Sequence, residues 1–293
     1  MTEVLTQSQI ASYHQSGYLV LENYLPDRVI KDLQSEISRF EEESRALSES
    51  NERLELEDGH TAAAPRIRRI RLPHKTSEVV RDLMLSDLIL APARDLIGPD
   101  IRLHTTKLNM KSPNNGAAIG WHQDYAFYPH TNDDILAIGV IIDDMKHENG
   151  PLMVYPGSHK GPIYNHHVDE VFVGAINLDD VGLDTNEAVE ITGPAGSISI
   201  HHGRIVHGSA QNTSSRARRV LFYEMMAADA FPIMGSLTHW AGLEDYDKRM
   251  LCGTPTLAPR MERIPVRIPQ PQLNPDIPVS IYEIQKGLKN RTT

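Results

Sequence analysis

Cysteine is almost absent from this chain: Cys252 is the only one in 293 residues. No internal disulfide can form, so a buried core must hold the fold, and the disulfide-rich secreted scaffolds are excluded. No apolar run approaches the roughly 20 residues that span a bilayer. The first 20 residues also lack a basic start, an apolar stretch and a small-residue cleavage site. The expectation is an intracellular, cytoplasmic protein with no membrane partner. Basic residues are in deficit as well: 29 Lys and Arg stand against 39 Asp and Glu, a formal net charge of -10. Phosphate backbones select the opposite balance, so nucleic acid is not an expected partner and a small-molecule substrate is. Internal repeats are missing too.

What is present reads as a globular protein, with 40% hydrophobic and 23% charged residues. A chain of this length can fold as a single β-rich domain with helical additions. Three stretches differ in texture: a helical part over 1–99, a β-rich core over 100–226 and a Pro-rich extension over 227–293. Residues 8–16 before Gly17 predict a short helix with a glycine stop, and Tyr18, Leu19, Val20 and Leu21 continue as a strand. From Asp27 onward, Ile30, Leu33, Ile37 and Phe40 recur at spacings of 3, 4 and 3, which places them on one helical face that should pack on a sheet. Thr76 or Ser77 can cap a helix through Leu85, and another over 87–96 ends at Gly98-Pro99. Residues 41–58 are strongly acidic, and Arg66, Arg68, Arg69 and Arg71 then alternate with Ile67, Ile70 and Leu72. A solvated helix end and an edge strand account for this pattern; so would an arginine that meets an anionic group of a substrate.

After Asp100 short β-prone runs are separated by Gly, Pro and Asn. Strands over 102–110, 135–142, 152–155, 197–202, 204–208 and 220–225 predict a sandwich or barrel. Residues 158–193 have no firm periodicity, and a loop of that length inside a compact domain points to a lid. Beyond Gly253 come Pro255, Pro259, Pro265, Pro269, Pro271, Pro275 and Pro278. They predict an extended surface run and then a short helix near 282–288.

The chemistry concentrates at Trp121-His122-Gln123-Asp124. On a strand His122 and Asp124 project from one face while Gln123 points away. An imidazole and a carboxylate so placed are two thirds of the facial triad that leaves iron positions open for a chelating cosubstrate and O2. The third ligand must come from a distant strand, and residues 201–209 offer His201, His202 and His207. His207 is favoured because Gly208-Ser209 and a turn-forming run follow it, which would reverse the chain into an antiparallel neighbour. His201 and His202 lack that continuation and read as residues near a strand end. Ser209 shares a face with His207. On the returning strand Arg216 and Arg218 share one face and Arg219 takes the other, so one arginine can pair bidentately with a dicarboxylate at the metal. His159, after Pro156-Gly157-Ser158, reads as a turn residue. Trp121, Phe127 and Tyr128 are either core aromatics or pocket lining.

Jointly, several motifs make the chain resemble the phytanoyl-CoA dioxygenase family, including the ectoine hydroxylases. They are Leu108-Asn109-Met110-Lys111, Trp121-His122-Gln123-Asp124, Asn149-Gly150-Pro151 through Pro156-Gly157-Ser158-His159-Lys160, Gly193-Pro194-Ala195-Gly196-Ser197, and His207-Gly208-Ser209 with Asn212 and Arg218. They cover about residues 100 to 225. The resemblance implies a double-stranded β-helix (jelly roll, cupin-like) core packed by the N-terminal helices. It implies Fe(II) held by His122, Asp124 and His207, with 2-oxoglutarate and O2 as cosubstrates. Arg218, eleven residues past the last ligand as in the family, would bind the distal carboxylate of 2-oxoglutarate with help from Ser209. Asn109 matches a family position beside the cosubstrate, and Tyr128 that of a substrate-pocket aromatic in ectoine hydroxylases. The implied reaction is hydroxylation of an unactivated C–H bond of a small metabolite or natural-product intermediate, with release of succinate and CO2. Halogenases of this type carry a small residue where Asp124 stands, so halogenation is disfavoured. Desaturation, epoxidation or ring formation would use the same residues, and an acyl-CoA substrate is the runner-up, although nothing marks a CoA pocket. Two other classes fit less well: a non-catalytic metal-binding jelly-roll protein, and a metal-assisted hydrolase of the cupin type. A structural site closes its coordination with four ligands, whereas three ligands and a carboxylate clamp are present here.

Overall fold

The structure, a computed structural model, describes residues 3–114, 116–234 and 243–272. Helix α1 (Gln7–Ser16) starts at a reciprocal cap: the Thr6 side chain accepts from the Gln9 N–H, and the Gln9 side chain returns to the Thr6 backbone. It stops at Gly17, whose φ of 82° is left-handed; a side chain there would also strike the His159 ring. β1 (Tyr18–Leu21) follows directly. α2 (Asp27–Ser44) buries Ile30, Leu33, Ile37 and Phe40, as the 3-4-3 spacing predicts. Ser77 caps α3 (Glu78–Leu85) through the Val80 N–H, and α4 (Asp87–Ile97) ends at Gly98. No helix among the described residues is long and apolar enough to cross a membrane.

The remaining strands are β2 (Leu54–Leu56), β3 (Ile67–Arg71), β4 (Ile101–Lys111), β5 (Ile119–His122), β6 (Ile135–Ile141), β7 (Leu152–Val154), β8 (His167–Val168), β9 (Val171–Phe172), β10 (Val189–Ile191), β11 (Ile198–His202), β12 (His207–Ser209), β13 (Arg218–Ala227) and β14 (Met250–Cys252). A major sheet runs β1-β11-β6-β13-β4-β3-β2 with β14 added to β4, and a minor sheet runs β10-β7-β12-β5. All pairings are antiparallel, and the two sheets form the jelly-roll core. The outer face of the major sheet, with Ile138, Leu221 and Tyr223, packs on the helical residues Leu33, Ile37 and Phe40. Each such fully buried aliphatic side chain contributes about 1.5–3 kcal/mol. Ala137, Ile141, Val154, Ile191, Val220 and Phe222 form a second cluster between the sheets.

The architecture differs from expectation in several places. β3 is not an edge strand: β2 lies outside it, a three-residue strand too short to show alternation within the acidic stretch. The strand expected over 204–208 begins only at His207, because the Ile205 N–H turns back to the His202 carbonyl at 3.0 Å. Asp124 is not on a strand; β5 ends at His122 and Asp124 opens a single 3-10 turn. Gln123 between them is still extended (φ -120°, ψ 125°), which keeps His122 and Asp124 on the same side.

Residues 158–193, expected as a lid, hold the β8–β9 hairpin, a short helix α5 (Leu178–Val181), and β10 of the minor sheet. Gln123 does point away from the site, and there it binds this segment: its amide donates to the Pro162 and Arg204 carbonyls and its oxygen accepts from the Tyr164 N–H. The Pro-rich run is extended over residues 253–272 and is tied down by Arg260 to Asp229 and by the Glu262 N–H to the Thr131 carbonyl. The helix expected near 282–288 lies outside the described residues.

Candidate functional site

β5 and β12 pair so that His122 and His207 stand directly opposite each other. Asp124 comes in from the turn after β5. His122 Nε2 lies 3.6 Å and His207 Nε2 3.8 Å from Asp124 Oδ1, and all three ligand atoms fall within 4.8 Å of one another. Each imidazole is oriented from behind: His122 Nδ1 bonds the Gly120 carbonyl at 2.8 Å and His207 Nδ1 the Ile205 carbonyl at 3.0 Å. A carbonyl only accepts, so both Nδ1 atoms carry the proton and both Nε2 lone pairs face the same point. Burial and the neighbouring His122 hold the His207 imidazole neutral, the form a metal ligand needs. Burial alone would raise the Asp124 carboxyl, but Lys107 and the surrounding histidines outweigh it and keep it ionised. Two imidazoles and one carboxylate, buried and convergent, could hold iron, and the donor set fits Fe(II).

Asp124 has a fourth neighbour. His201, inside β11, sits with Nε2 3.5 Å from the other carboxylate oxygen, Oδ2, and lines the same cavity. Its place near a strand end agrees with the sequence reading; its approach to Asp124 depends on the pairing of β11 with β6 and had no local signal.

The three returning arginines part company. Arg219 forms a two-pronged pair with Asp143, and Arg216 is an exposed partner of Glu148. Arg218, 4% exposed, enters the cavity, where its Nε and Nη2 donate to the Gly150 carbonyl at 3.1 and 2.8 Å. Gly150 can offer that carbonyl because its φ of 71° is left-handed. Lys111, opposite Arg218 on β4, donates from Nζ to Ser209 Oγ at 2.9 Å and to the Ala210 carbonyl. Burial, then Arg218, pushes its ammonium down to about 5. Asn109, two residues earlier, also lines the cavity. Lys111 was visible in the Leu108-Asn109-Met110-Lys111 motif, yet only its place against Ser209 and Arg218 reveals it as a site residue.

The same cavity, whose volume is about 90 Å³, is also lined by Arg68, Arg69, Lys107 and Glu55. Tyr128 is buried behind it: its hydroxyl donates to Glu224 at 3.1 Å, its ring lies 4.0 Å from that of His104, and Glu224 in turn pairs with Lys107. No residue of the 158–193 segment is among those lining the cavity. The segment packs behind the minor sheet, where His166 Nε2 accepts the Gln123 N–H at 3.0 Å and the Ile176 N–H bonds the Trp121 carbonyl. His159 occupies a 3-10 turn, as its sequence neighbours suggest, and Trp121 packs on Tyr155.

Comparison with known proteins agrees with this geometry. Residues 13–220 match the family described as Phytanoyl-CoA dioxygenase (PhyH). The chain is 35% identical over 267 residues to a probable alpha-ketoglutarate-dependent hypophosphite dioxygenase of Stutzerimonas stutzeri, covering 90% of this chain and 92% of that protein. It is 31% identical over 229 residues to an L-proline trans-4-hydroxylase of Streptomyces griseoviridis, covering 71% and 82%. Among solved structures, EctD from S. alaskensis with bound Fe aligns at a TM-score of 0.68 and 23% identity, covering 90% of this chain and 89% of that one, which supports the shared fold. The chain belongs to the phytanoyl-CoA dioxygenase family and is a non-heme iron, 2-oxoglutarate-dependent dioxygenase.

Proposed function

We propose that this enzyme hydroxylates an unactivated C–H bond of a small polar molecule, with His122, Asp124 and His207 as the metal ligands. The observation that carries the reading is the convergence of two Nε2 lone pairs and one ionised carboxylate on a single point at the edge of a cavity. Bound Fe(II) and 2-oxoglutarate would supply the oxidising chemistry, with O2 consumed and succinate and CO2 released. The chain's own residues do the positioning. Arg218 is pinned by Gly150 with Nη1 to spare, and Lys111 and Ser209 stand next to it, so together they form the cradle for the distal carboxylate. Asn109 borders that cradle, and His201 steadies Asp124 from its outer oxygen. Tyr128 acts on substrate indirectly, by orienting Glu224 and through it Lys107. The relatives named above act, by their names, on hypophosphite and L-proline, both small and polar, which favours such a substrate over an acyl-CoA.

A second reading is oxidation of a hypophosphite-like oxyanion, which carries P–H in place of C–H bonds. It is favoured by the 35% identity over 90% of the chain. One assay tests both: purified protein with Fe(II), 2-oxoglutarate and O2 is offered hypophosphite and a panel of small amino and organic acids. Succinate formation coupled to oxidation of one of them is expected; no 2-oxoglutarate consumption with any would sink both readings. Replacing Arg218 with Ala is expected to raise the 2-oxoglutarate requirement roughly 30-fold or more with metal affinity little changed, and unchanged cosubstrate dependence would move the clamp to another cation.

A further inference from the structure

The cavity is lined by two groups of cations, Lys111 with Arg218 and Arg69 with Lys107, and the cosubstrate cradle uses only the first. Register separates them: Arg218 is opposite Lys111, whereas Arg69 is opposite Asn109, which is opposite Val220. Two residues along β4 and one strand across put Arg69 roughly 8 Å from Lys111 by backbone spacing. A carboxylate seated on Lys111 and Arg218 therefore leaves Arg69 to another group. Lys107 is a further two residues along β4, opposite Phe222 and Arg71.

Arg69 is built to receive such a group. Its Nε and Nη2 both donate to Glu55 Oε1, and its Nη1 has no partner among the described residues. Glu55 is shared by Arg68, Arg69 and Arg71, so none of the three guanidiniums has that carboxylate to itself. The Arg69 side chain is 18% exposed and that of Glu55 5%, a setting where a charged hydrogen bond counts for more than on open surface. Arg69 and Lys107 both line the cavity that holds His122 and Asp124, with Val220 and Phe222 as an apolar wall beside them. This concentration of cations occurs in a chain whose net charge is -10.

We propose that Arg69, with Lys107 beside it, anchors an oxyanion carried by the substrate, so that the substrate class is a small carboxylate, phosphonate or phosphinate whose reactive bond lies next to the charged group. The inference rests on the dioxygenase reading only for which end the cosubstrate takes. Planar bidentate pairing favours arginine for this task, and the apolar wall suits the short stem of such a molecule.

The test is calorimetric, on Fe(II)-loaded protein under argon, with and without saturating 2-oxoglutarate. Acetate, methylphosphonate and hypophosphite are titrated, with acetamide as the neutral control. At least one oxyanion is expected to bind on top of 2-oxoglutarate while acetamide does not, and the preferred one tells planar from tetrahedral recognition. Arg69→Gln is expected to weaken that binding roughly 10- to 100-fold. Arg69→Lys, which keeps the charge but not the fork, should fall between. Both variants should hold 2-oxoglutarate within about twofold of the parent, which also certifies their fold. The proposal is overturned if 2-oxoglutarate displaces every oxyanion, if Arg69→Gln binds as well as the parent, or if acetamide binds equally. Failure of 2-oxoglutarate itself to bind would count against the cofactor roles. In that case Arg69-dependent oxyanion binding in the same titrations would still support the anchor, and its absence would overturn it.

Discussion

The proposed metal end of the cavity is built on the minor sheet, from histidines that face each other across β5 and β12 and a carboxylate two residues past one of them. The cationic end is built on the major sheet, where Glu55, Arg69, Lys107 and Glu224 are brought together from β2, β3, β4 and β13. At the first end the residue types announce the chemistry, because a buried imidazole pair beside a carboxylate has few structural uses. At the second they do not. Arginine, lysine and glutamate are ordinary surface residues, and only sheet register turns them into a wall of a site. The two ends should also fail differently: loss of a ligand removes chemistry and leaves the fold, whereas loss of a buried counter-charge damages the fold first.

The largest effect expected is on the metal side. Alanine at either His122 or Asp124 should bring succinate formation to background, with bound iron lost in metal analysis and, for His122, thermal stability close to the parent. Robust turnover in either variant would break the assignment of the triad and the contrast that rests on it. Next in size is Glu55→Gln on the cationic side. It leaves three guanidiniums around a neutral amide, a change expected to cost about 3 kcal/mol of stability, read by urea denaturation. Burial raises the Glu55 carboxyl, but Arg69, Arg71 and Arg68 together outweigh it and hold it below the usual range. A depressed carboxylate stabilises the fold above its unfolded value, about 4.3, and loses that contribution as pH falls through the folded value. The gap between parent and Glu55→Gln should therefore close on acidification below about pH 4. A gap that is constant with pH would mean that packing, not charge, makes the difference.

Legibility in the sequence follows the same division. The helical faces were readable because Ile30, Leu33, Ile37 and Phe40 obey a period fixed by the helix itself, and the long strands because their β-branched runs are bounded by turn residues. The proposed ligands His122, Asp124 and His207 and the proposed clamp Arg218 stand out in the sequence by type and spacing. β2 was not, being three residues inside an acidic stretch, and without β2 the arginines of β3 look like an exposed edge. His201 and Lys111 were hidden for a related reason. Each becomes a site residue through a partner far away in the chain, Asp124 in one case and Ser209 in the other. The segment 158–193 lacked periodicity because its elements are two to four residues long, and its anchors are single side chains such as Gln123.

Lys111 offers the subtlest test, since it belongs to the cationic side by sheet and to the metal side by function. Its ammonium is pushed down to about 5 by burial and by Arg218, so the side chain is neutral near pH 7 in the cosubstrate-free protein. A carboxylate placed between Lys111 and Arg218 would favour the charged form. Binding of 2-oxoglutarate near pH 7.5 should then take up close to one proton, seen as a calorimetric enthalpy that varies with the ionisation enthalpy of the buffer. Lys111→Met should abolish the uptake while leaving iron binding intact. The unliganded protein gives an independent check on sign. Its unfolded chain binds the extra proton between about pH 5 and 10.4, so this lysine makes stability rise with pH across that window, and the rise should be missing in Lys111→Met. An enthalpy independent of buffer would mean that Lys111 is already charged against Ser209 and Ala210, and that Arg218 meets the carboxylate alone.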